Sequence, residues 1–153
     1  PRAQALVPRL EAEQLCQEIE ILHLRCERLP GEMSLRLNLG RKLKQSGNYS
    51  GAISRLEEAR DDPTLAAEVL LELGECWQHL RQFEKALDFY RQAIAVANEQ
   101  PEPRPMALAL YRVGVLVAAM GKNAEAREAL MRLVAIDPAY KDARERLDKV
   151  PPN

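Results

Sequence analysis

One pattern recurs three times along this chain, and it restricts the fold more than any other feature. A glycine that follows a large apolar residue stands at positions 40, 74 and 114. Twelve residues after each glycine comes an alanine, and four residues later comes a large apolar side chain. These pairs are Ala52 and Leu56, Ala86 and Tyr90, and Ala126 and Leu130. A repeat of about 20 to 50 residues is typical of arrays in which each unit buries its apolar face against the next unit.

The spacing of the glycines locates an insertion between the second and third units. Gly40 and Gly74 are 34 residues apart, whereas Gly74 and Gly114 are 40 residues apart. The six additional residues fall in the stretch 100–105, which contains three prolines. Proline lacks the backbone N–H that a helix interior needs, so this stretch cannot be helical throughout. We therefore expect a loop there.

Each unit is predicted to contain two helices joined by a polar turn. In the second unit, Leu70, Leu73 and Trp77 recur at helical spacing before the turn, and Leu87 and Tyr90 do so after it. Over the whole chain the same reasoning predicts helices at 8–29, 33–46, 50–60, 63–80, 83–98, 105–120, 123–136 and 139–149.

Local sequence signals indicate where several of these helices begin and end. Asp62-Pro63 and Asp137-Pro138 have the pattern of an N-cap residue followed by proline in the first helical turn. Gly47-Asn48 and the glycine at 121 indicate tight turns between the two helices of a unit.

Composition agrees with a helical protein and excludes several classes of function. Aromatic residues make up only 5% of the chain, and the net charge is −1, so no overall field attracts nucleic acid or an acidic membrane surface. No apolar stretch approaches the ~20 residues that would allow membrane insertion. Three cysteines without paired spacing favour a reducing compartment, so we expect a cytoplasmic protein. Because the chain begins at Pro1 rather than Met, we expect a fragment or a processed form.

Two motifs carry a resemblance to a known family. The second unit reads L-x-x-L-G-x-x-W over residues 70–77 and then A-x-x-x-Y over 86–90, which resembles the tetratricopeptide repeat. Including the other two units, the resemblance covers residues 33–138. It implies an all-α protein, an α-solenoid in which antiparallel helix pairs form a right-handed superhelix. It also implies a protein-binding adaptor or scaffold rather than an enzyme.

The chain is therefore divided into three parts. Residues 1–31 are predicted to form an N-terminal amphipathic helix, 32–138 three repeats, and 139–153 a C-terminal capping helix and tail. The repeats are placed at about 33–66, 67–104 and 105–138. Apolar residues of the N-terminal helix follow the spacing of a coiled-coil seam at Leu15, Ile19, Leu22, Cys26 and Leu29.

The resemblance also implies a binding site. Members of the family bind extended or helical peptides in a concave groove lined by the first helix of each pair. By position, the groove would be lined by Leu37, Arg41, Lys44, Gln45, Leu71, Glu75, Gln78, His79, Leu108, Tyr111, Arg112 and Val115. This lining changes from basic through acidic to apolar along the array. The expected partner is an amphipathic protein or peptide with an acidic group near Arg41 and Lys44.

Two questions stay open at this level. The apolar end of the groove, at Leu108, Tyr111 and Val115, either binds a ligand or is covered by a terminal helix of the same chain, since exposed apolar patches need an explanation. The alternative function is self-assembly, in which helix 8–29 pairs with its copy in a homodimer or the faces of the terminal repeats associate.

Catalysis, a cofactor and a metal are not expected. His23 and Cys26 could share one helix face, but a structural zinc site requires four ligands and no second pair is evident. The other histidine, His79, has no nucleophile near it in sequence. A subclass of the family grips chaperone C-termini, but Glu72 occupies the place of its asparagine and would repel a carboxylate. We therefore do not expect a chaperone-tail clamp.

Overall fold

The computed structural model describes residues 2–152, and it contains eight α-helices and no β-strand within them. They are α1 (Arg2–Arg28), α2 (Met33–Gln45), α3 (Tyr49–Ala59), α4 (Ala66–His79), α5 (Phe83–Glu99), α6 (Pro103–Ala119), α7 (Asn123–Ile136) and α8 (Ala143–Lys149). None of them has both the length and the apolar character that a bilayer-spanning helix needs.

The helices form a stack in which each one packs on the helix before it. The pairs α2–α3, α4–α5 and α6–α7 are hairpins, and short turns of a few residues make each pair antiparallel. The first helices of neighbouring pairs also touch one another, α2 against α4 and α4 against α6, so these three share one surface. The predicted all-α fold, a right-handed α-solenoid, is confirmed.

Each hairpin is closed by a contact between a buried glycine and a large buried side chain sixteen residues later. A Cβ atom added at Gly74 would lie 2.5 Å from Cε1 of Tyr90, which is fully buried. Real Cβ atoms do not approach other atoms so closely, so only glycine fits unless the ring moves. The same relation holds in the first and third hairpins, for Gly40 with Leu56 and Gly114 with Leu130.

The turn inside each hairpin contains one residue in the left-handed backbone region. Gly47 has a φ of 86° and Gly121 has a φ of 79°, as the predicted turns require. Asn48 then caps α3, because its side chain accepts a hydrogen bond from the N–H of Gly51 at 3.0 Å. The equivalent residue of the second hairpin is not glycine but Arg81, whose φ is 60°.

Two predicted helix starts are wrong. Asp62 does not cap a helix at residue 63; its Oδ1 accepts hydrogen bonds from the N–H and the hydroxyl of Thr64, and α4 begins only at Ala66. Asp137 likewise accepts from the N–H of Ala139, and α8 begins at Ala143. Aspartate followed by proline favours a turn at both places, because the carboxylate bonds to the backbone two residues further on.

The insertion between the second and third repeats is absorbed mainly by longer helices. Helix α5 extends to Glu99 and α6 starts at Pro103, so only residues 100–102 connect them. Helix α1 also begins earlier than the predicted residue 8 and contains Pro8 in its interior. The exposed N-terminal half of the helix allows water to reach the carbonyl that Pro8 leaves without its usual helical partner.

The terminal helices cover the ends of the stack. In α1, Cys26 is buried and Ile19 and Leu22 pack against the core of the first repeat, whereas Leu29 is exposed. The predicted coiled-coil seam is therefore used largely inside the chain. At the other end, Ala143 and Val150 are buried in the core that includes the third repeat.

We predict that Gly74→Ala lowers the free energy of unfolding by about 1–3 kcal/mol, the range typical of overpacked cores. The added methyl group would collide with Tyr90, whose ring has no room to rotate away. The matched control is Gly31→Ala, because nothing lies within 4 Å of a Cβ placed there. Urea denaturation of both variants measures the difference, and equal stability of the two would contradict this role of Gly74.

Candidate functional site

The surface shared by α2, α4 and α6 carries a network of ion pairs that joins all three repeats. Glu72 accepts hydrogen bonds from Arg41 Nε at 3.2 Å and from Lys44 Nζ at 2.5 Å. Glu68 accepts from Arg41 Nη2 at 2.7 Å. Glu75 accepts from Lys44 and, at 2.8 Å, from Arg112 Nη2. Three basic and three acidic side chains thus balance one another across the concave face.

The middle of this network is well shielded from water. The side chains of Glu72 and Glu75 are only 15% and 12% exposed, whereas those of Arg41 and Glu68 are near 40%. Burial alone would lower the pKa of Lys44, but its hydrogen bonds to Glu72 and Glu75 outweigh that effect and raise the pKa. Lys44 therefore stays charged throughout the physiological pH range.

A recess of about 630 Å³ opens beside the network, toward the C-terminal end of α4. Its lining residues are Lys44, Glu75, Gln78, His79, Arg81, Phe83 and Arg112. Gln78 is fixed because its Oε1 accepts a hydrogen bond from the hydroxyl of Tyr90 at 2.6 Å. Arg112 Nε is buried and has no partner among residues 2–152. The recess therefore contains more donors than the carboxylate of Glu75 satisfies.

Arg81 and Phe83 were not among the predicted groove residues. Arg81 lies in the turn after α4, and Phe83 is the first residue of α5. Neither is on the first helix of the pair, which is where the family resemblance directs attention. One signal was available in the sequence: the residue at 81 stands at the turn position that glycine occupies in the other two repeats, at 47 and 121.

A second recess, of about 330 Å³, lies at the N-terminal end of the same surface. It is lined by Arg41, Glu68, Leu71, Glu72, Arg104, Pro105 and Leu108. Arg104 is exposed, and sequence reasoning did not select it because it falls in the proline-rich insertion. The two recesses flank the ion network, so a chain lying along the groove would touch both.

The apolar end of the groove is partly occupied by the chain's own C-terminal segment. The hydroxyl of Tyr111 donates to Asp142 Oδ1 at 2.6 Å, and its ring packs against Tyr140 with centroids 5.6 Å apart. Val115 lines a cavity of about 220 Å³ together with Val150 and other C-terminal residues. The chain's own C-terminal segment therefore covers Tyr111. For this residue, the second of the two explanations for the apolar surface applies.

The remaining predicted residues occupy different environments. Leu37 is buried in the core, and Leu71 is almost fully buried but lines the N-terminal recess. Leu108 is half-buried in the N-terminal recess, and Gln45 is exposed at the end of α2. His79 stacks on Tyr49, with ring centroids 4.7 Å apart and planes 7° apart.

The chemistry available at this surface is that of binding. Within residues 2–152, no group of three or more Cys, His, Asp or Glu side chains is arranged to hold a metal ion. Cys76 lies beneath the network, and burial raises the pKa of its thiol to about 12, so it is protonated at neutral pH and a poor nucleophile. Among residues 2–152, Arg81 has no ion-pair partner and Arg112 has one, so their guanidinium groups retain N–H donors from which a polar ligand could accept hydrogen bonds.

Comparison with known families identifies the repeats. Residues 65–139 match the model of the tetratricopeptide repeat. This part of the chain carries tetratricopeptide repeats. Repeats of this family generally form protein-interaction scaffolds, and nothing in the described residues points to catalysis. No curated protein matches the sequence significantly.

Solved structures share the fold. MamA is 22% identical, with a TM-score of 0.75, over 92% of this chain and 78% of that chain. The first tetratricopeptide domain of Spaghetti (RPAP3), bound to the HSP90 peptide SRMEEVD, is 20% identical, with a TM-score of 0.67, over 78% of this chain and 92% of that one. At this level of identity the likeness establishes the fold alone.

We predict that Glu72→Gln lowers the free energy of unfolding by about 1–3 kcal/mol, because the change leaves Lys44 and Arg41 with weaker acceptors in a shielded position. Glu68→Gln is the matched control on the same helix; it removes one ion pair with more exposed partners and is expected to cost less than about 1 kcal/mol. Urea denaturation of both variants measures the two losses in the free energy of unfolding. Equal losses would show that the network does not depend on Glu72.

Proposed function

We propose that the concave surface binds a peptide segment of another protein, and that this segment carries an acidic group next to a large apolar side chain. The recess beside the network supports this partner chemistry. Its lining includes Lys44, Arg81 and Arg112 but only one carboxylate, from Glu75, and the ring of Phe83 is exposed at its edge. A carboxylate would pair with the arginines while an apolar side chain covers the ring.

The backbone of Arg81 is the observation that carries this proposal. A non-glycine residue in the left-handed region costs about 1 kcal/mol, and the other two repeats avoid that cost with glycine. Arg81 accepts that cost and lines the recess with a charged residue. A conformation held against its local preference is typical of functional positions, because selection for stability alone favours glycine there.

The position of the acidic group differs from the sequence-based expectation. That expectation placed it near Arg41 and Lys44, yet each of these cations already pairs with two carboxylates of α4. A ligand carboxylate would have to displace one of them. Arg81 has no ion pair with any residue from 2 to 152, and Arg112 has one, so these two offer the stronger attraction.

A chaperone-tail ligand is not favoured, although the RPAP3 domain holds such a peptide. The carboxylate of Glu72 stands at the centre of the groove and is fixed there by Arg41 and Lys44. It would repel a terminal carboxylate lying across α2 and α4. Assembly through the seam of α1 is not favoured either, since Ile19, Leu22 and Cys26 of that seam pack on the first repeat.

The test begins with peptides selected from a random library displayed on phage. We predict that the selected peptides combine Asp or Glu with a large apolar residue. We predict further that Arg81→Gly weakens their binding about tenfold, which corresponds to ~1.4 kcal/mol. Because glycine relieves the left-handed strain, the variant should be as stable as the parent or more so, and a loss of affinity cannot then be attributed to unfolding.

Fluorescence anisotropy with a labelled selected peptide measures the affinity, and Arg144→Ala serves as control because Arg144 is an exposed arginine in α8 that lines neither recess. Phe83→Ala should weaken binding as well. If Arg81→Gly and Arg144→Ala bind the peptide equally well, or if the selected peptides are basic, the proposal is wrong.

A further inference from the structure

Helix α1 has a second apolar face that the repeats do not cover. Val7, Leu10, Ile21 and Leu24 are each between 53% and 56% exposed, although α1 is a regular helix packed against α2 along part of its length. At 3.6 residues per turn, this face lies about 140° around the helix from the face of Ile19, Leu22 and Cys26 that packs on the first repeat. One helix therefore presents an occupied stripe and an open one.

The open stripe follows a coiled-coil repeat. Its members alternate in steps of four and three residues and will be called the outer stripe; they are Ala3, Val7, Leu10, Gln14, Gln17, Ile21, Leu24 and Arg28. The outer stripe therefore has eight successive positions with coiled-coil spacing. The seam that packs on the first repeat, from Leu15 to Leu29, has five. From Ala3 to Leu24 the stripe is about 32 Å long.

From Val7 to Leu24 the outer stripe is symmetric about its own midpoint, whereas its outermost pair, Ala3 with Arg28, does not match. When it is read from both ends toward the point between residues 15 and 16, Val7 corresponds to Leu24, Leu10 to Ile21 and Gln14 to Gln17. Apolar residues thus correspond to apolar residues, and the two polar residues correspond to each other. Antiparallel helices in a two-fold dimer bring just such positions into contact, because a closed isologous interface must be complementary to itself.

We propose that two copies of this chain dimerise through the outer stripe of α1, with the helices antiparallel. Val7 packs against Leu24 of the second copy, and Leu10 against its Ile21, so four apolar layers flank the centre. At the centre, Gln14 of one copy meets Gln17 of the other. Gln14 Nε2 donates to Glu18 Oε1 within its own helix at 3.3 Å, so its Oε1 is the acceptor for the amide of Gln17. A polar pair of this kind fixes the register of a coiled coil, because a slipped register places the amides against apolar side chains.

The remaining surroundings of α1 permit this arrangement. Each copy's repeats contact the opposite side of its own helix, so the two stacks lie on the outside of the pair. Pro8 also stands away from the outer stripe, which keeps the interrupted backbone hydrogen bond out of the contact.

The flanks of the stripe are acidic and weaken the pairing. In the antiparallel register Glu11 approaches Glu18 of the second copy, and Glu13 approaches its Glu20. Two of these four are already partly neutralised, since Lys42 lies 2.9 Å from Glu18 and Arg9 lies 3.2 Å from Glu13. Repulsion between exposed charges is screened by salt, so the dimer should tighten as salt increases. Pairing driven by opposite charges would weaken instead.

Sedimentation equilibrium of the 153-residue chain tests the surface. We expect a mass approaching twice 17.3 kDa at tens of micromolar protein. The dissociation constant of the dimer should decrease as the NaCl concentration is raised from 50 mM to 500 mM. The double variant Leu10→Glu with Ile21→Glu should be monomeric under the same conditions. The matched control, Met131→Glu with Ile136→Glu, changes equally exposed residues of α7 and should remain dimeric. A monomeric parent chain, or a dimer that persists in the first variant, overturns the proposal.

Disulfide trapping tests the orientation, in a Cys16→Ser background because Cys16 is exposed and the other two cysteines are buried. A chain with Leu10→Cys mixed with a chain carrying Ile21→Cys should form a mixed disulfide. Leu10→Cys alone should not crosslink, since its two copies would lie about 16 Å apart, beyond the reach of a disulfide. Crosslinking of Leu10→Cys with itself indicates parallel helices and overturns the proposed geometry. The variants leave the groove unchanged, so this proposal and the peptide-binding proposal fail or succeed separately.

Discussion

The close approach of a glycine to a large side chain determines the geometry of every repeat. Gly40, Gly74 and Gly114 allow the two helices of a hairpin to approach until Leu56, Tyr90 or Leu130 rests on the glycine backbone. Because the contact recurs at the same point of each hairpin, all three have the same shape and stack in one sense. The first helices consequently lie side by side on one surface, and the proposed binding site depends on that alignment.

The ion network is a consequence of this stacking. Its pairs connect residues 27 to 37 positions apart, which is about one repeat, so each arginine or lysine meets a carboxylate on the neighbouring first helix. A surface whose charges already balance offers few free partners to a ligand. We therefore expect selectivity to depend on Arg81 and the exposed ring of Phe83, which lie outside the network, and on Arg112, which has only one ion pair in it.

The sequence predicted the helices and their pairing well, because apolar spacing and small residues directly reflect the packing within a repeat. It failed where a side chain had two possible backbone partners, as at Asp62 and Asp137, where a local turn displaced the expected cap. It also could not reveal the pairing of Lys44 with Glu72 and Glu75, since the match between neighbouring helices depends on their exact offset in the stack. Arg81 was missed because the turn, and not the helix, brings it to the groove.

Hydrogen–deuterium exchange with and without a selected peptide tests most directly whether the peptide lies on the shared surface of α2, α4 and α6. We predict slower exchange in the last turn of α4 and the adjoining residues 80–83, with smaller changes in α6. Little change is expected in the outer helices α3 and α7. Protection confined to those outer helices, or to α1, would contradict this prediction.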